Sequence, residues 1–599
     1  MIGAIGERLA ECPGTRRVVK ATNDNRVAAD VDKMAACGDD LGSCRSVRLG
    51  GSMKAGRLGF VAALALVSAV MLPGFGAVAG ATPAPTPKAV CGPGSLPETN
   101  AQGRVSAADV ASGRAAKGYT CNTQTLSQIG TNGGYRVHRY VDRAGHECAF
   151  FDTTLLFPTN AAHGVESPTG VWVLDMTDPA HPVHTATLSS PAMQSPHESL
   201  SLNLKRGLLG AVLGNPATYP GIVDIYDISG DCRAPVLKSS LPTGILGHEG
   251  AFSPDGNTFW ATSVLGSLTA IDVTNPATPL PLYTSQAWMP HGLNVSDDGN
   301  RIYFADLGSK GKPGSPSGTD GSAGMTILDV SQIQSRTASP KVAVVSHLTW
   351  PDVSIPQTPI PVTISTGTPA EPHQFLVEVD EFSKSTTGYA PNDAVGAARI
   401  INIDDETKPV VVSDLRLEVN EPAARAGDQR NDPGASNGLQ GYAGHYCAVP
   451  QRAEPGIVAC SFILSGLRVF DIRNPNAPKE IAYFNAPITK GSATGGPPSA
   501  YAMSAPAFVP GRAEIWYSDG NSGFWAVRVT NGVWTASASP STGPAIAQPP
   551  VASSPASPVN GRLPATGSSR GVAAIGAAVL AFSVGLRRRL RRRRRTESV

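Results

Sequence analysis

Short apolar runs separated by turn residues dominate the chain between residues 135 and 535. HEGAFSPDGNTFWATSV, at 248–264, shows the unit. Ala251-Phe252 lead into Pro254-Asp255-Gly256-Asn257, and Phe259-Trp260 follow. Asp-Gly between apolar runs is a strong short-range hairpin signal, so the stretch reads as two antiparallel strands. A second pattern recurs seven times: an apolar strand carries an aspartate, and a Pro-containing turn often follows. The copies are GVWVLDMTDPAHPV (170), GIVDIYDISGDCRAPV (221), GSLTAIDVTNPATPL (266), GMTILDVSQI (324), ARIINIDDETKPVVV (398), GLRVFDIRNPNAPKEI (466) and a degenerate GFWAVRVTNGVW (523). Val, Ile and Leu around the aspartate suit a buried strand. Asx side chains and proline both favour the turn that reverses the chain afterwards. Another strand, such as PKEIAYF, comes next.

Each copy is preceded by a strand pair: HESLSLNLKRGLLGAVL (197), HEGAFSPDGNTFWATSV (248), HGLNVSDDGNRIYFAD (291), HQFLVEVDEF (373), HYCAVPQRAEPGIVACSF (445) and APAFVPGRAEIWYSD (505), with HECAFFDTTLLFPTN (146) as the matching piece of the first copy. The compact units are spaced by 51 and 43 residues. Longer ones carry insertions at 307–323, 350–372, 383–396 and 420–443. Four strands in a period of about 40–50 residues is the signature of a propeller blade. The pattern therefore predicts an all-β, seven-bladed β-propeller with four-stranded blades over 135–535. YRVHRYV (135–141) is expected to close the ring by completing the last blade. A stack of sandwich domains would not need the sevenfold unit.

IDVTNPATPLPL and FDIRNPNAPKEIAYF resemble the LVIVD-repeat family of bacterial extracytoplasmic β-propellers, over roughly residues 135–535. The resemblance implies the fold and says little about function.

The first strand of a propeller blade lines the central channel. On the alignment above, His197, His248, His291, His373 and His445 stand at one rim, one per blade, and converge on the axis. Imidazole suits Zn, Cu, Fe and Ni, so the five form a candidate site for one transition-metal ion. Glu198 and Glu249 follow two of them, and strand alternation would turn these carboxylates away. The competing reading is structural. In WD-repeat propellers a Gly-His pair before this strand hydrogen-bonds within its own blade, and Gly247-His248 and Gly444-His445 look similar. PHGLNVS and GHEGAFS also resemble, locally, motifs of selenium-binding or methanethiol-oxidase propellers, which implies rim histidines that hold a metal. His138, His146, His163, His181, His184 and His347 lie outside the repeating position and read as surface or loop residues. The chain has no GxSxG in a strand-turn-helix setting, no HExxH, no P-loop and no CxxC, and it lacks the carboxylate and Asn ligand set of propeller lactonases.

Composition agrees with a turn-rich β chain: 16% charged residues, 64 Gly and 51 Pro among 599 residues. The net charge of +2 hides an uneven distribution. Eight arginines lie in the last thirteen residues, whereas 80–567 holds 30 Lys+Arg against 39 Asp+Glu, a balance of −9. An acidic body excludes nucleic acid as a partner, because phosphate binding needs a basic face.

The two ends read as addresses. MKAGRLGFVAALALVSAVMLPGFGAVAGA begins at Met53, with Lys54 and Arg57, an apolar run and Ala77-Val78-Ala79. This is the layout of a secretory signal peptide over 53–79, handled by the Sec translocation machinery and cut after Ala79. Residues 1–52 then precede the true start, and 80–134 form an N-terminal segment. Residues 536–562 are rich in Pro, Ser and Ala and suit an extended stalk. LPATG (Leu563, Pro564, Ala565, Thr566, Gly567), the apolar 571–586 and the arginine run resemble a Gram-positive cell-wall sorting signal over 563–599. That resemblance implies sortase cleavage after Thr566 and attachment to peptidoglycan. Sixteen apolar residues are short for a permanent transmembrane helix, and retention as a membrane anchor is the alternative. Either way the body faces outside.

Six cysteines follow Ala79, an even number that suits disulfides in a secreted chain. Cys447 and Cys460 flank one predicted hairpin and are candidates for a cross-strand bridge. Cys91 and Cys121 bracket the N-terminal segment, which would leave Cys148 and Cys232. Fifteen pairings are formally open. The sequence thus describes a secreted, surface-attached propeller. The favoured reading is a platform for an extracellular ligand or protein; the alternative is a metal-dependent oxidoreductase or hydrolase that uses the rim histidines.

Overall fold

The computed structural model describes residues 84–534, apart from 155–168, 215–220, 244–246, 265, 309–322, 384–394, 433–440, 490 and 492–497. Turn chemistry sets the local geometry. In the 253–258 hairpin the Asp255 carboxylate accepts the Asn257 N–H at 3.0 Å, and Gly256 takes φ +73°, a conformation side chains resist. The same device returns at Asp298, Gly299 and Asn300. The repeating aspartate ends the third strand of its blade as an Asx turn. Asp175, Asp227, Asp272, Asp329 and Asp471 each accept the backbone N–H two residues on, at 2.8–3.0 Å. Asn402 does the same in the fifth copy, at 3.1 Å.

These hairpins build seven antiparallel sheets. Blades one to six run in chain order over 137–188, 201–242, 250–285, 290–348, 355–415 and 444–485. Blade seven combines three strands at 507–529 with Thr123–Ile129 as its outer strand. Seven four-stranded blades in a ring are a seven-bladed β-propeller, the fold that the repeat predicts. Apolar seams between blades supply the core. Trp516 and Phe524 of blade seven, for instance, pack with Phe151 and Trp172 of blade one.

Three expectations change. The ring is closed by Thr123–Ile129, paired with Gly523–Val529, and not by 135–141. This polar, partly exposed strand (TQTLSQI) carries no apolar pattern to betray it. Residues 135–141 instead include blade one's own first strand, Val137–Val141, which pairs with Glu147–Asp152. The 350–372 stretch is not an inserted loop: Ile355–Thr366 is the first strand of blade five, paired with Glu371–Glu381. Pro356, Pro359 and Pro361 argue against a central strand, but a blade's first strand is a sheet edge, where proline is tolerated.

Three disulfides join Cys91–Cys121, Cys148–Cys232 and Cys447–Cys460. Cys447 and Cys460 face each other in register across their hairpin. Cys148–Cys232 ties blade one to blade two. Tyr119–Cys121 adds a fifth strand to blade six, so the first disulfide anchors the N-terminal segment there. Among the described residues no helix is long and apolar enough to cross a membrane. The signal peptide with Ala77 and Ala79, the 536–562 stalk and the LPATG signal lie outside the described residues.

Candidate metal centre

Four of the five expected histidines meet. His197 precedes blade two, His248 precedes blade three, His291 lies in Pro290–Val295 of blade four and His445 in Gly444–Ala448 of blade six. All four are buried. His248 Nε2 and His291 Nε2 are 3.1 Å apart, and the His197 and His248 rings lie 4.4 Å apart between centroids. His373 does not join them. It sits in Glu371–Glu381, the second strand of blade five, 39% exposed and bonded to Asp404 at 2.7 Å. Its strand resembles a first strand in sequence because the true one, Ile355–Thr366, is rich in proline.

Two carboxylates complete the cluster. Glu198 Oε2 lies 3.1 Å from His248 Nε2 and 3.5 Å from His291 Nε2, and Glu198 Oε1 lies 3.3 Å from His445 Nε2. Glu381 Oε1 lies 3.7 Å from His291 Nε2, and its Oε2 lies 3.2 Å from His445 Nε2. Alternation predicted that Glu198 would point away. His197, however, adopts φ +50°, which breaks the extended period before the strand begins and leaves both side chains facing the cluster. Glu381 ends the second strand of blade five, and no sequence pattern singles it out.

The surroundings hold these groups in place. His291 Nδ1 bonds the Pro356 carbonyl and His445 Nδ1 the Met503 carbonyl, both at 2.7 Å. A carbonyl can only accept, so Nδ1 carries the proton and Nε2 of a neutral ring keeps its lone pair. Arg136, next to blade one, donates to the Glu198 carbonyl at 3.0 Å, pairs with the Glu249 carboxylate and reaches the Tyr446 hydroxyl at 3.3 Å. Gln357 donates to the same hydroxyl at 2.7 Å. The Tyr135 ring lies 4.6 Å from that of His197. A Cβ at position 292 would fall 1.9 Å from Glu249 Oε2, so only glycine after His291 lets this carboxylate approach.

The electrostatics suit a cation. Burial pushes His197 down to about 3, so it stays neutral, and its buried Nδ1 has no hydrogen-bond partner. Burial likewise lowers His291. Burial penalises the Glu198 charge, but the facing His248 outweighs it and holds the carboxyl well below its usual range. Burial would lower His445 too, yet its bonds to Glu198 and Glu381 raise it to about 9. Burial raises the Glu249 carboxyl to about 8, against the pull of Arg136. Glu198 Oε2 has no hydrogen-bond partner despite its close nitrogens. A carboxylate oxygen facing two imidazole Nε2 atoms is a donor set that suits a metal ion. His197, Glu198 and His248 offer ligand atoms within 4.8 Å of one another.

Of the remaining histidines, His138 lies in the first strand of blade one and bonds the Leu200 carbonyl at 2.8 Å, so it is not a surface residue. His184 stacks on Trp172. His146, with Asp142 and Asp231, forms a second, partly exposed group at the edge of blade one.

No family model matches the chain, and no curated protein matches it. Solved structures do align over most of their length. The Cps50 (Swd1) β-propeller domain of Myceliophteria thermophila is 10% identical, with 68% of this chain and 99% of that one covered and a TM-score of 0.39. Kuenenia stuttgartiensis hydrazine synthase is 12% identical, with 67% and 97% covered and a TM-score of 0.40. A chain of the mitotic checkpoint complex is 12% identical, with 69% and 96% covered and a TM-score of 0.39.

Proposed function

We propose that this chain is an extracytoplasmic propeller that binds a transition-metal ion on its axis and uses it in hydrolytic or redox chemistry. The carrying observation is a triangle of donors. His248 Nε2, His291 Nε2 and Glu198 Oε2 are separated by 3.1, 3.1 and 3.5 Å. Metal–N and metal–O bonds of about 2.1 Å in a tetrahedral site put donors about 3.4 Å apart, close to this triangle. His248, His291 and Glu198 would hold such an ion. Two imidazoles and one carboxylate suit Zn, Fe or Mn, and the carbonyl bond at His291 Nδ1 is the usual outer support of a metal-binding histidine.

The address reading belongs to the same proposal. A signal peptide over 53–79 and the sorting signal from Leu563 to Val599 would export the chain and join it to the cell wall. The three disulfides support an oxidising compartment. LVIVD-repeat kinship rests on the repeat sequence.

The test is elemental analysis of the untagged full chain beside His248→Ala/His291→Ala. Bound transition metal that disappears in the double variant supports the reading. A folded wild-type protein without metal overturns it. The propeller fold is consistent with a protein-binding platform, and that result would turn attention to surface partners.

A further inference from the structure

The two carboxylates share one arrangement. Each offers one oxygen to the His291 side of the cluster and the other to His445. Glu198 places Oε2 3.5 Å from His291 Nε2 and Oε1 3.3 Å from His445 Nε2. Glu381 places Oε1 3.7 Å from His291 Nε2 and Oε2 3.2 Å from His445 Nε2. The two histidines are fixed in mirror fashion, each with Nδ1 on a backbone carbonyl and Nε2 turned inward.

Resting on the reading above, we infer that the centre is dinuclear, with Glu198 and Glu381 as bridging carboxylates. The first ion takes His248, His291, Glu198 Oε2 and Glu381 Oε1. The second takes His445, Glu198 Oε1 and Glu381 Oε2. One ion would leave half of this donor set without a role. Two divalent ions at the usual spacing of about 3.5–4 Å match a pair of three-atom bridges. The donors are imidazole and carboxylate with no thiolate, so the ions are of the Mn, Fe or Zn kind, with Cu admitted by the imidazoles. The first ion has four protein donors and the second only three, so the second is the one with room for an exogenous oxygen ligand such as hydroxide or an oxyanion.

The experiment is metal stoichiometry of the full chain, titrated separately with Mn(II), Zn(II) and Cu(II), for wild type, Glu381→Gln and His445→Gln. Thermal melts of each variant show whether it is folded. The expected result is two equivalents per chain in wild type and one in each folded variant. The Cu(II) form should show a spin count well below its copper content, because carboxylate-bridged ions couple. In the single-site variants the spin count should rise to match the copper. One equivalent in wild type with full spin intensity overturns the inference and leaves the mononuclear reading standing. Two equivalents that persist in both folded variants overturn it as well, since the second ion would then lie elsewhere. No metal at all overturns both readings. If Glu381→Gln does not fold, His445→Gln and the wild-type spin count decide the matter.

Discussion

His248 and His291 face each other Nε2 to Nε2 at 3.1 Å across 43 residues of sequence, from neighbouring blades. Two imidazole nitrogens meet at that distance only around a shared proton or a shared cation. The Pro356 carbonyl already holds the His291 proton on Nδ1, so any shared proton belongs to His248. Bound metal displaces it. Metal uptake by the wild type should therefore release protons and weaken as pH falls. Calorimetry in buffers of different ionisation enthalpy measures the protons released, and uptake without release would contradict the assignment.

Arg136 acts on the centre without touching a ligand atom. It bonds the backbone of Glu198, the carboxylate beside His248 and the hydroxyl beside His445, and its guanidinium lies 4.2 Å from the Tyr446 ring centre. Outer groups of this kind are worth about 10–100-fold in metal affinity. Arg136→Gln should weaken metal binding by that factor and alter the Co(II) absorption spectrum, with the fold retained. A variant with unchanged affinity and spectrum would reduce Arg136 to a structural role.

Ring closure depends on the N-terminal segment. Thr123–Ile129 is the outer strand of blade seven, and Tyr119–Cys121 extends blade six. Removal of residues 84–131 exposes two sheet edges and deletes the clasp. The melting temperature should fall by roughly 5 °C or more, because a loss of several kcal/mol moves the midpoint by a few degrees per kcal/mol. Differential scanning calorimetry on the truncated chain decides it, and an unchanged midpoint would mean that the ring does not need its clasp.

The disulfides should rank by the loop that each closes. Cys148–Cys232 spans 84 residues and Cys447–Cys460 only 13. Loop entropy gives about 4–5 kcal/mol for the first and about 3 kcal/mol for the second. Denaturant titration of the two Cys→Ser pairs should show the larger loss for Cys148→Ser/Cys232→Ser. The reverse order would point to native-state effects instead.

Asp152 sets a pH dependence outside the metal ligands. It is fully buried and accepts the Tyr135 and Arg136 N–H groups, both at 3.1 Å. Burial still pushes its carboxyl up to about 7. The unfolded group ionises near 4, so between about pH 4 and 7 the folded state binds more protons and stability falls as pH rises. The loss amounts to up to about 4 kcal/mol across that window and levels off above it. Asp152→Asn should flatten this slope in urea titrations at pH 5 and pH 8. Parallel pH profiles for wild type and variant would show that another group carries it.

The site was partly legible because histidine at the start of a blade's first strand is a local mark that recurs with the repeat. It led to His197, His248, His291 and His445. It failed at His373, where three prolines concealed the strand lying before it. It ranked Glu198 low because alternation holds only within a strand, and His197 at φ +50° stands outside one. Glu381, Gln357 and Arg136 carry no local mark at all. Their roles come from where the strands carrying them end relative to the axis.

By itself the sequence determined the repeat, the hairpins and the four-stranded blade, because turn chemistry and apolar alternation act over a few residues. It also determined the cysteines available for bridging, while leaving their pairing open. Only the tertiary structure decided that Thr123–Ile129 closes the ring, that Ile355–Thr366 is a first strand, and that two glutamates stand between facing histidines. The first rests on a pairing hundreds of residues apart, the second on a hairpin whose prolines hide it, and the third on how strand ends meet around one axis, which no local pattern encodes.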